Sequence, residues 1–270
     1  MTKVAINGLG RIGRAVLKTI LDTPELELVA VNLETHLKAG AKKVILSAPA
    51  KSEGIEFVVP GVSDKSNHQN NPLISCASCT TNCIAPVVEI INRRIGVKKA
   101  IMTTIHAYTA TQGLIDKPSK KFRRGRSAAV NLVPTSTGAA IATTKVLPQL
   151  ANKFDGVAVR TPVPIGSISD IVLVVNKETN VEEINQIFRE EANTERYREI
   201  LGCSEDQIVS SDIIGDSHAS LVDLTMTQVV DGDLIKVMSW YDNEWGYANQ
   251  MIREVVQQLP LWKQSMQTAG

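Results

Sequence analysis

The chain has 270 residues, of which 43% are hydrophobic and 21% are charged, and its formal net charge is +1. This composition excludes disorder as the main state, and the balanced charge excludes a basic nucleic-acid footprint over the whole chain. No apolar run approaches the roughly 18 residues of a membrane span, the N-terminal segment lacks the apolar stretch of a secretion signal, and the cysteines are too few for a disulfide scaffold. We therefore expect a cytoplasmic protein of the α/β or α+β class.

The first elements in chain order form a strand–turn–helix–strand unit. Apolar and β-branched residues predict strands over 2–7 and 26–32, and apolar side chains at helical spacing predict a helix over 11–21 between them. This arrangement is the βαβ unit of α/β proteins. Beyond it, the pattern predicts a short helix over 34–39, strands over 43–48 and 56–62, and a loop over 63–72.

From Ser78 onward the pattern changes. Ser78 can cap a helix that continues to about Arg94, and a strand is expected over 100–106. The remaining predicted elements are a basic loop over 116–127, helices over 139–150, 181–192 and 243–258, and strands over 156–163, 168–176, 219–230 and 233–241. This half is predicted to be an antiparallel sheet with helices packed on it.

Three glycines between the first strand and the first helix match the pattern G-x-G-x-x-G. Gly8 permits a tight turn, Gly10 lets the backbone approach a pyrophosphate, and Gly13 lets the helix pack on the strand. The helix N-terminus would then face the anion. The alternative is a glycine-rich turn without a ligand, which the strand-and-helix context makes the weaker interpretation.

Three of the four cysteines lie within eight positions. Cys79 is expected in the first turn of a helix, where the helix dipole and free N–H groups stabilise a thiolate, so it is the first candidate for a nucleophile. A second interpretation is that the cysteines are buried and structural. A metal site formed by Cys76, Cys79 and Cys83 is third, because its fourth ligand, Cys203 or His106, forms no motif with them.

Basic residues supply the other candidates. His106 ends a predicted strand and could act as a base toward a cysteine, although a lone histidine is more often structural. Arg160 lies within an apolar strand, so its charge must be paired or kept for an anion. Phosphate binding and a solvated loop are about equally favoured for a third group, which comprises Lys120, Lys121, Arg123, Arg124 and Arg126.

Six segments together resemble the glyceraldehyde-3-phosphate dehydrogenase family. They are NGLGRIGR, SCTTNC, TTIHAYTATQ, PTSTGAA, VAVRTPVP and SWYDNEWGY, and the resemblance covers residues 2–48 and 74–257. It implies a Rossmann-type dinucleotide-binding domain followed by an antiparallel-sheet catalytic domain, thus α/β plus α+β, in a homotetramer. The domains would span 1–78 and 79–242, with the helix over 243–258 packing back on the first.

The resemblance also implies a role for each matching residue. Cys79 would be the nucleophile and His106 its base. Ser78, Thr80, Thr137 and Gly138 would bind inorganic phosphate, and Thr109, Arg124 and Arg160 would hold the substrate phosphate. The cofactor would meet Gly8, Gly10, Arg11 and Ile12 at its pyrophosphate and Asn243 and Tyr247 near its nicotinamide. No metal is implied.

The chain departs from the family in its first domain. After Asn32 the family continues with an acidic residue that holds the adenosine ribose and then with several strands, and this internal block is absent here. Cys76 also replaces the asparagine usual three places before the nucleophile. Pro118 matches family members that prefer NAD, whereas Lys117 and the missing acidic residue would tolerate NADP, so the sequence leans slightly to NAD.

The expected function is phosphorylating oxidation of glyceraldehyde 3-phosphate to 1,3-bisphosphoglycerate with NAD(P), through a thioester on Cys79. A related dehydrogenase acting on erythrose 4-phosphate is the close alternative. Because a block of the cofactor domain is absent, a non-redox member of the family that serves as a binding protein is the alternative from another class. A metal-binding module is the least favoured.

Overall fold

The βαβ unit predicted at the start of the chain is present in the structure, a computed structural model that describes residues 1–31, 36–37, 40–50, 52–63 and 71–268. Strands β1 (Thr2–Ile6) and β2 (Leu26–Val31) pair in parallel, and helix α1 (Arg11–Leu21) connects them. Helix α1 buries Val16 and Ile20, as its apolar spacing predicts.

A second small sheet follows. It consists of β3 (Val44–Leu46), β4 (Glu56–Phe57) and β5 (Leu73–Ser75), which pair in parallel in the order β3-β5-β4. The strand predicted over 56–62 is only two residues long, because the chain turns at Pro60 and Gly61, which has a φ of +76°. The predicted helix over 34–39 and loop over 63–72 lie mostly outside the described residues.

The second half contains a seven-stranded mixed sheet in the order β10-β11-β12-β9-β6-β8-β7. Its strands are β6 (Val97–Ala107), β7 (Val133–Ser136), β8 (Phe154–Thr161), β9 (Ser167–Val175), β10 (Leu201–Ser204), β11 (Ser220–Val230) and β12 (Leu234–Tyr241). The neighbours β10–β11 and β6–β8 pair in parallel and the other neighbours are antiparallel. The predicted sheet with helices is thus confirmed in outline, but it is mixed and not purely antiparallel.

Local sequence signals explain where the helices begin and end. Helix α2 (Cys79–Arg94) is capped by Ser78 and helix α5 (Val181–Ala192) by Asn180, whose side chains accept hydrogen bonds from backbone N–H groups of the first turn. The helix predicted over 139–150 is divided into α4 (Ala139–Val146) and a 3₁₀ turn (Pro148–Leu150), because proline cannot continue the hydrogen-bond ladder. The other helices are α3 (Phe122–Gly125) and α6 (Trp245–Thr268).

The core joins these elements in two main clusters. The larger one packs α2, α4 and α5 against one face of the seven-stranded sheet. The second packs Tyr247, Met251 and Ile252 of α6 against Ile6 and Ile20 of the first unit. Helix α6 therefore connects the end of the chain to its beginning. Within the described ranges, no helix combines the length and apolar character needed to cross a membrane.

Candidate active site

Cys79 is the first residue of helix α2. The Ser78 side chain accepts a hydrogen bond from the Thr81 N–H at 3.0 Å and so caps the helix immediately before the thiol. The Cys79 side chain is partly buried and is not part of a disulfide. The helix start therefore presents a free thiol beside uncapped N–H groups of its first turn.

His106 faces this thiol from the end of strand β6. Its Nε2 lies 3.4 Å from Cys79 Sγ, and the ring is 4% exposed. A nucleophile and a base within hydrogen-bond reach of each other are the minimum arrangement for covalent catalysis. The structure thus brings together two candidates that are far apart in the sequence.

Strand register places Arg160 beside His106. The two residues are paired partners on the parallel strands β8 and β6, so their side chains lie on the same face. Arg160 Nη1 lies 2.5 Å from His106 Nδ1 and donates to Ala107 O at 3.0 Å. Arg160 has no carboxylate partner among the residues that the structure describes, and Asp170 pairs with Lys236 at 3.0 Å. The half-buried charge of Arg160 is therefore available to bind an anion.

Two groups compete for His106 Nδ1. This nitrogen also lies 2.7 Å from Ala107 O, to which it can donate only if it carries the ring proton. Because a guanidinium only donates, a bond from Arg160 requires an unprotonated Nδ1 and places the proton on Nε2, toward Cys79. An anion that draws Arg160 away would let Nδ1 donate to Ala107 O and leave Nε2 as a free base.

Burial sets the protonation of the pair. It lowers the pKa of His106 to about 3, and the positive charge of Arg160 acts in the same direction. Burial also raises the pKa of the Cys79 thiol, although Arg160 and a hydrogen bond from Thr80 oppose it. The pair at rest is therefore a thiol and a neutral imidazole. The expected thiolate requires His106 to remove the proton as the sulfur attacks.

Other basic and hydroxyl residues lie on neighbouring elements. Arg124 donates to Thr135 Oγ1 at 2.8 Å and to Ser136 O at 3.1 Å, so it is fixed to strand β7 next to β8. The charges of Arg124 and Arg11 both lower the pKa of Arg160, after the larger effect of its burial. These guanidinium groups therefore create a positive potential close to Cys79.

The remaining phosphate-site candidates lie at loop and helix starts. Thr137 accepts a hydrogen bond from Ala139 N at 3.1 Å, and Gly138 precedes helix α4. Thr109 bonds with Thr111 at 2.9 Å between their hydroxyl groups. Thr80 differs from the others, because it is 4% exposed and its hydroxyl is bound inside the protein.

The glycine turn before α1 has the shape that a pyrophosphate requires. Gly8 has a φ of +94°, and a Cβ on Gly13 would lie 2.0 Å from Gly8 O, so both positions need glycine. A Cβ on Gly10 would meet nothing within 4 Å, which leaves open space before the helix N-terminus. The turn therefore fits the pyrophosphate of a dinucleotide.

The other residues predicted to bind the cofactor make hydrogen bonds, ion pairs or packing contacts within the chain. Arg11 donates to Pro164 O at 3.0 Å and forms an ion pair with Glu244 at 2.8 Å, so it ties α1 to the second half of the chain. Ile12 packs in the cluster around α1 and α6. Asn243 Oδ1 accepts from the Gly166 N–H at 3.0 Å.

Tyr247 lies near the Cys79 thiol but is buried. It is 4% exposed and donates from its hydroxyl to Ala77 O at 3.1 Å, two residues before Cys79. Asn243 is therefore bound to the start of β9, and Tyr247 connects α6 to the segment just before α2. A cofactor contact by Asn243 would therefore use its amide nitrogen, and one by Tyr247 would use its ring, because the Asn243 Oδ1 and the Tyr247 hydroxyl are already bound within the protein.

The other cysteines lie in different environments. Cys76 and Cys83 are buried, and burial raises the pKa of both, that of Cys83 to about 12. Burial raises the pKa of Cys203 to about 11. Among the described residues, no three His, Cys, Asp or Glu side chains form a group that could hold a metal ion.

One residue of the site was not singled out from the sequence. Tyr241 ends strand β12, its ring meets the His106 ring edge-on at 5.9 Å, and its hydroxyl lies 2.8 Å from those of both Thr80 and Thr104. The signal was present in SWYDNEWGY, where Tyr241 follows Ser239 at strand spacing on the buried face. A buried tyrosine hydroxyl normally finds a hydrogen-bond partner.

Fold and site together define a protein with a dinucleotide-type turn and a cysteine–histidine pair on a mixed sheet. Residues 2–46 match the family model of the glyceraldehyde 3-phosphate dehydrogenase NAD binding domain, and residues 78–243 match that of the C-terminal domain. The chain belongs to the glyceraldehyde-3-phosphate dehydrogenase family.

Relatives of this name agree with the family models. The chain is 48% identical to one from Streptomyces coelicolor over 219 residues, covering 81% of this chain and 65% of the relative. It is 39% identical to one from Clostridium pasteurianum over 330 residues, covering 94% and 97%, and 38% identical to Glyceraldehyde-3-phosphate dehydrogenase 1 from Bacillus subtilis over 322 residues, covering 93% and 96%. The match to the Streptomyces relative thus spans just under two thirds of that protein.

The alignment also shows what the chain lacks. The match to the Clostridium relative extends over 330 positions and the chain has 270 residues, so at least 60 positions of that relative have no counterpart here. These missing positions lie within the aligned region, which agrees with the departure from the family that the sequence predicts after Asn32.

Proposed function

We propose that the chain oxidises glyceraldehyde 3-phosphate to 1,3-bisphosphoglycerate with NAD(P) and inorganic phosphate, as in glycolysis and gluconeogenesis. The observation that carries the proposal is the 3.4 Å approach of Cys79 Sγ and His106 Nε2 with Arg160 beside them. A soft nucleophile, a neutral base and a cation for an anionic substrate are the groups that this chemistry needs.

His106 moves the protons of the reaction. Its Nε2 takes the thiol proton as Cys79 Sγ attacks the aldehyde carbon, returns it to the hemithioacetal oxygen, and takes it again when that carbon is oxidised to a thioester. NAD(P), when bound, supplies the hydride acceptor. Phosphate then attacks the thioester carbonyl, and the bond to Sγ breaks to release the acyl phosphate. The thioester route conserves the energy of oxidation because the thiolate is a good leaving group.

Two phosphate groups must be held at this site. We assign the substrate phosphate to Thr109, Arg124 and Arg160. Arg124 is hydrogen-bonded to β7, the strand next to the β8 strand that carries Arg160, and Arg160 has no carboxylate partner among the described residues. We assign inorganic phosphate to the helix starts, with Ser78, Thr137 and Gly138. In this proposal Thr80 contributes through its backbone N–H in the first turn of α2, because its hydroxyl is occupied by Tyr241.

Cofactor binding is proposed at the glycine turn. Gly8 and Gly10 approach the pyrophosphate at the N-terminus of α1, with Arg11 and Ile12 in its first turn. Asn243 and Tyr247 would flank the nicotinamide from the junction beside Cys79. We keep the slight preference for NAD over NADP that Pro118 suggests.

A homotetramer in the cytoplasm is the proposed assembly. Large apolar side chains are exposed on the outer face of the sheet and in the 114–132 segment, which favours burial against other copies. They include Leu114, Ile115, Phe122, Leu132, Ile101 and Val157. Four free cysteines favour the reducing cytoplasm.

A non-redox binding protein is the second candidate. The missing positions favour it, because a dinucleotide domain without the acidic residue and strands expected after Asn32 would hold adenosine poorly. Erythrose 4-phosphate would use the same phosphate and thiol groups, so it is a second substrate to assay and not a different site.

The test is cofactor reduction followed by absorbance at the nicotinamide wavelength, with glyceraldehyde 3-phosphate or erythrose 4-phosphate as substrate. We expect the rate to depend on phosphate, to fall by about 10³ or more in Cys79→Ser, and to persist in Cys203→Ser, the matched control at a partly exposed cysteine. If the folded wild-type chain reduces no cofactor, the dehydrogenase proposal fails and the non-redox binding protein is the better account.

A further inference from the structure

A buried hydroxyl joins the helix that carries the nucleophile to the strand that carries the base. The Tyr241 hydroxyl lies 2.8 Å from Thr80 Oγ1, next to Cys79 on α2, and 2.8 Å from Thr104 Oγ1, two residues before His106 on β6. The three residues are 2%, 4% and 0% exposed, so water does not replace these bonds.

Strand order explains why Tyr241 can reach both partners. Strand β12 is separated from β6 by β9, and Tyr241 is paired with Ser167 of β9 in the antiparallel register. The tyrosine side chain is long enough to cross β9 on the buried face. Its ring therefore meets His106 edge-on at 5.9 Å and an interplanar angle of 76°.

The three hydroxyl groups have a preferred direction of donation. Each carries one proton, and the Thr80 side chain, adjacent to Cys79, acts to lower the pKa of the thiol against the effect of burial, which fits a Thr80 hydroxyl proton directed at the sulfur. In that arrangement Thr80 Oγ1 accepts from Tyr241, and Tyr241 accepts from Thr104. The other acceptor for the Thr104 proton, Ile168 O, is farther away, at 3.4 Å against 2.8 Å. Hydrogen bonds in such a chain polarise one another, so the Tyr241 hydroxyl strengthens the bond to the sulfur.

We propose that Tyr241 is a positioning residue, whose hydroxyl holds Cys79 against His106 and directs the Thr80 hydroxyl to the Cys79 sulfur. The proposal rests on the proposed roles of Cys79 and His106. Its effect is on the nucleophile, so it is measured by thiol reactivity, which requires neither cofactor nor turnover.

The main variant is Tyr241→Phe, which keeps the ring against His106 and removes only the hydroxyl. We expect the pH profile of Cys79 alkylation by iodoacetamide to shift to higher pH and the rate near neutral pH to fall roughly threefold to tenfold, the loss of one buried hydrogen bond to the nucleophile. Peptide mapping identifies the labelled cysteine.

The matched control is Ser220→Ala. It breaks another buried bond between hydroxyl groups, that of Ser220 and Ser239 at 2.7 Å, in the same sheet but without contact to Cys79 or His106. A structural role for Tyr241 would lower the melting temperature and leave the alkylation profile unchanged, as in the control. That result overturns the proposal.

A second pair of variants covers the case in which Tyr241→Phe does not fold. Thr104→Val removes the Thr104 hydroxyl, which bonds to Tyr241, and should shift the pH profile of Cys79 alkylation to higher pH. Thr104→Ser keeps a hydroxyl at this position and should give the wild-type profile. Equal profiles for Val and Ser would reject the proposal. If Cys79 in the wild type is no faster than Cys203, the proposed function fails instead, so the two failures are distinguishable.

Discussion

Arg160 is a half-buried cation whose partners at rest are a carbonyl and an imidazole. It donates to Ala107 O and crowds His106 Nδ1 at 2.5 Å, and no carboxylate of the described residues neutralises it. Burial lowers its pKa, which is the expected consequence of a charge held without a counter-ion. A phosphate at this position would supply the counter-ion and relieve the crowding at Nδ1.

Replacing Arg160 by leucine therefore should affect the substrate more than the fold. We expect Arg160→Leu to raise KM for the aldehyde phosphate roughly tenfold or more, the value of a lost charge-assisted hydrogen bond, with little loss in melting temperature because an uncompensated charge is removed. Arg126→Leu is the control, since Arg126 is an exposed arginine in the nearby loop. An unchanged KM with a large drop in melting temperature would show that Arg160 is structural.

His106 couples the stability of the fold to pH. Burial, with the charge of Arg160 second, lowers its pKa to about 3, whereas a histidine in the unfolded chain titrates near about 6.5. Between these values the unfolded state binds a proton that the folded state does not. The free energy of unfolding therefore decreases as the pH falls below about 6.5, and the contribution of the neutral histidine is fully present only above it.

His106→Gln removes this titration while keeping a polar side chain of similar reach. We expect the melting temperature of the wild type to fall more steeply than that of the variant when the pH is lowered from about 7.5 to about 5, where the unfolded histidine is charged. Other groups titrate equally in both proteins, so the difference isolates His106. Parallel curves would indicate that the folded histidine accepts a proton in this range.

At the scale of elements, helices follow from local sequence and strand order does not. The bounds of α1 and α5 agree with the apolar spacing, and Ser78 caps α2 as predicted, because these signals act within a few residues. Pro148 explains after the fact why α4 is short. The parallel pairing of β6 with β8 depends on which strands meet across the sheet, and no local pattern specifies it.

The same division applies to the site. The turn at Gly8, Gly10 and Gly13 and the thiol at the start of α2 were predictable, since each is a short motif in its structural context. The contact of Arg160 with His106 and the reach of Tyr241 across β9 were not, because both arise from the order of strands. The distances between elements could not be predicted from the sequence either, and the protonation states of Cys79 and His106 depend on those distances.

At the scale of the whole molecule, the strands of the first half belong to two separate small sheets within the described residues. Strands β1 and β2 form one and β3, β5 and β4 form the other. In a complete doubly wound domain, one continuous sheet binds the two halves of a dinucleotide on either side of its switch point. Here the pyrophosphate turn is kept, but at least 60 aligned positions of the Clostridium relative are absent from a chain of 270 residues.

This architecture should reduce the contribution of the adenosine half to cofactor binding. We expect NAD, NADP and nicotinamide mononucleotide to raise the melting temperature over similar concentration ranges, because the contacts that we propose are to the pyrophosphate and the nicotinamide side. A ligand that binds only the folded state stabilises it by an amount that grows with its affinity. AMP is the control ligand and should have little effect. The measurement is a titration of each ligand against melting temperature on a chain of confirmed mass. A clear rise at micromolar NAD that the mononucleotide does not reproduce would contradict this expectation, since it would require adenosine contacts from the residues that remain.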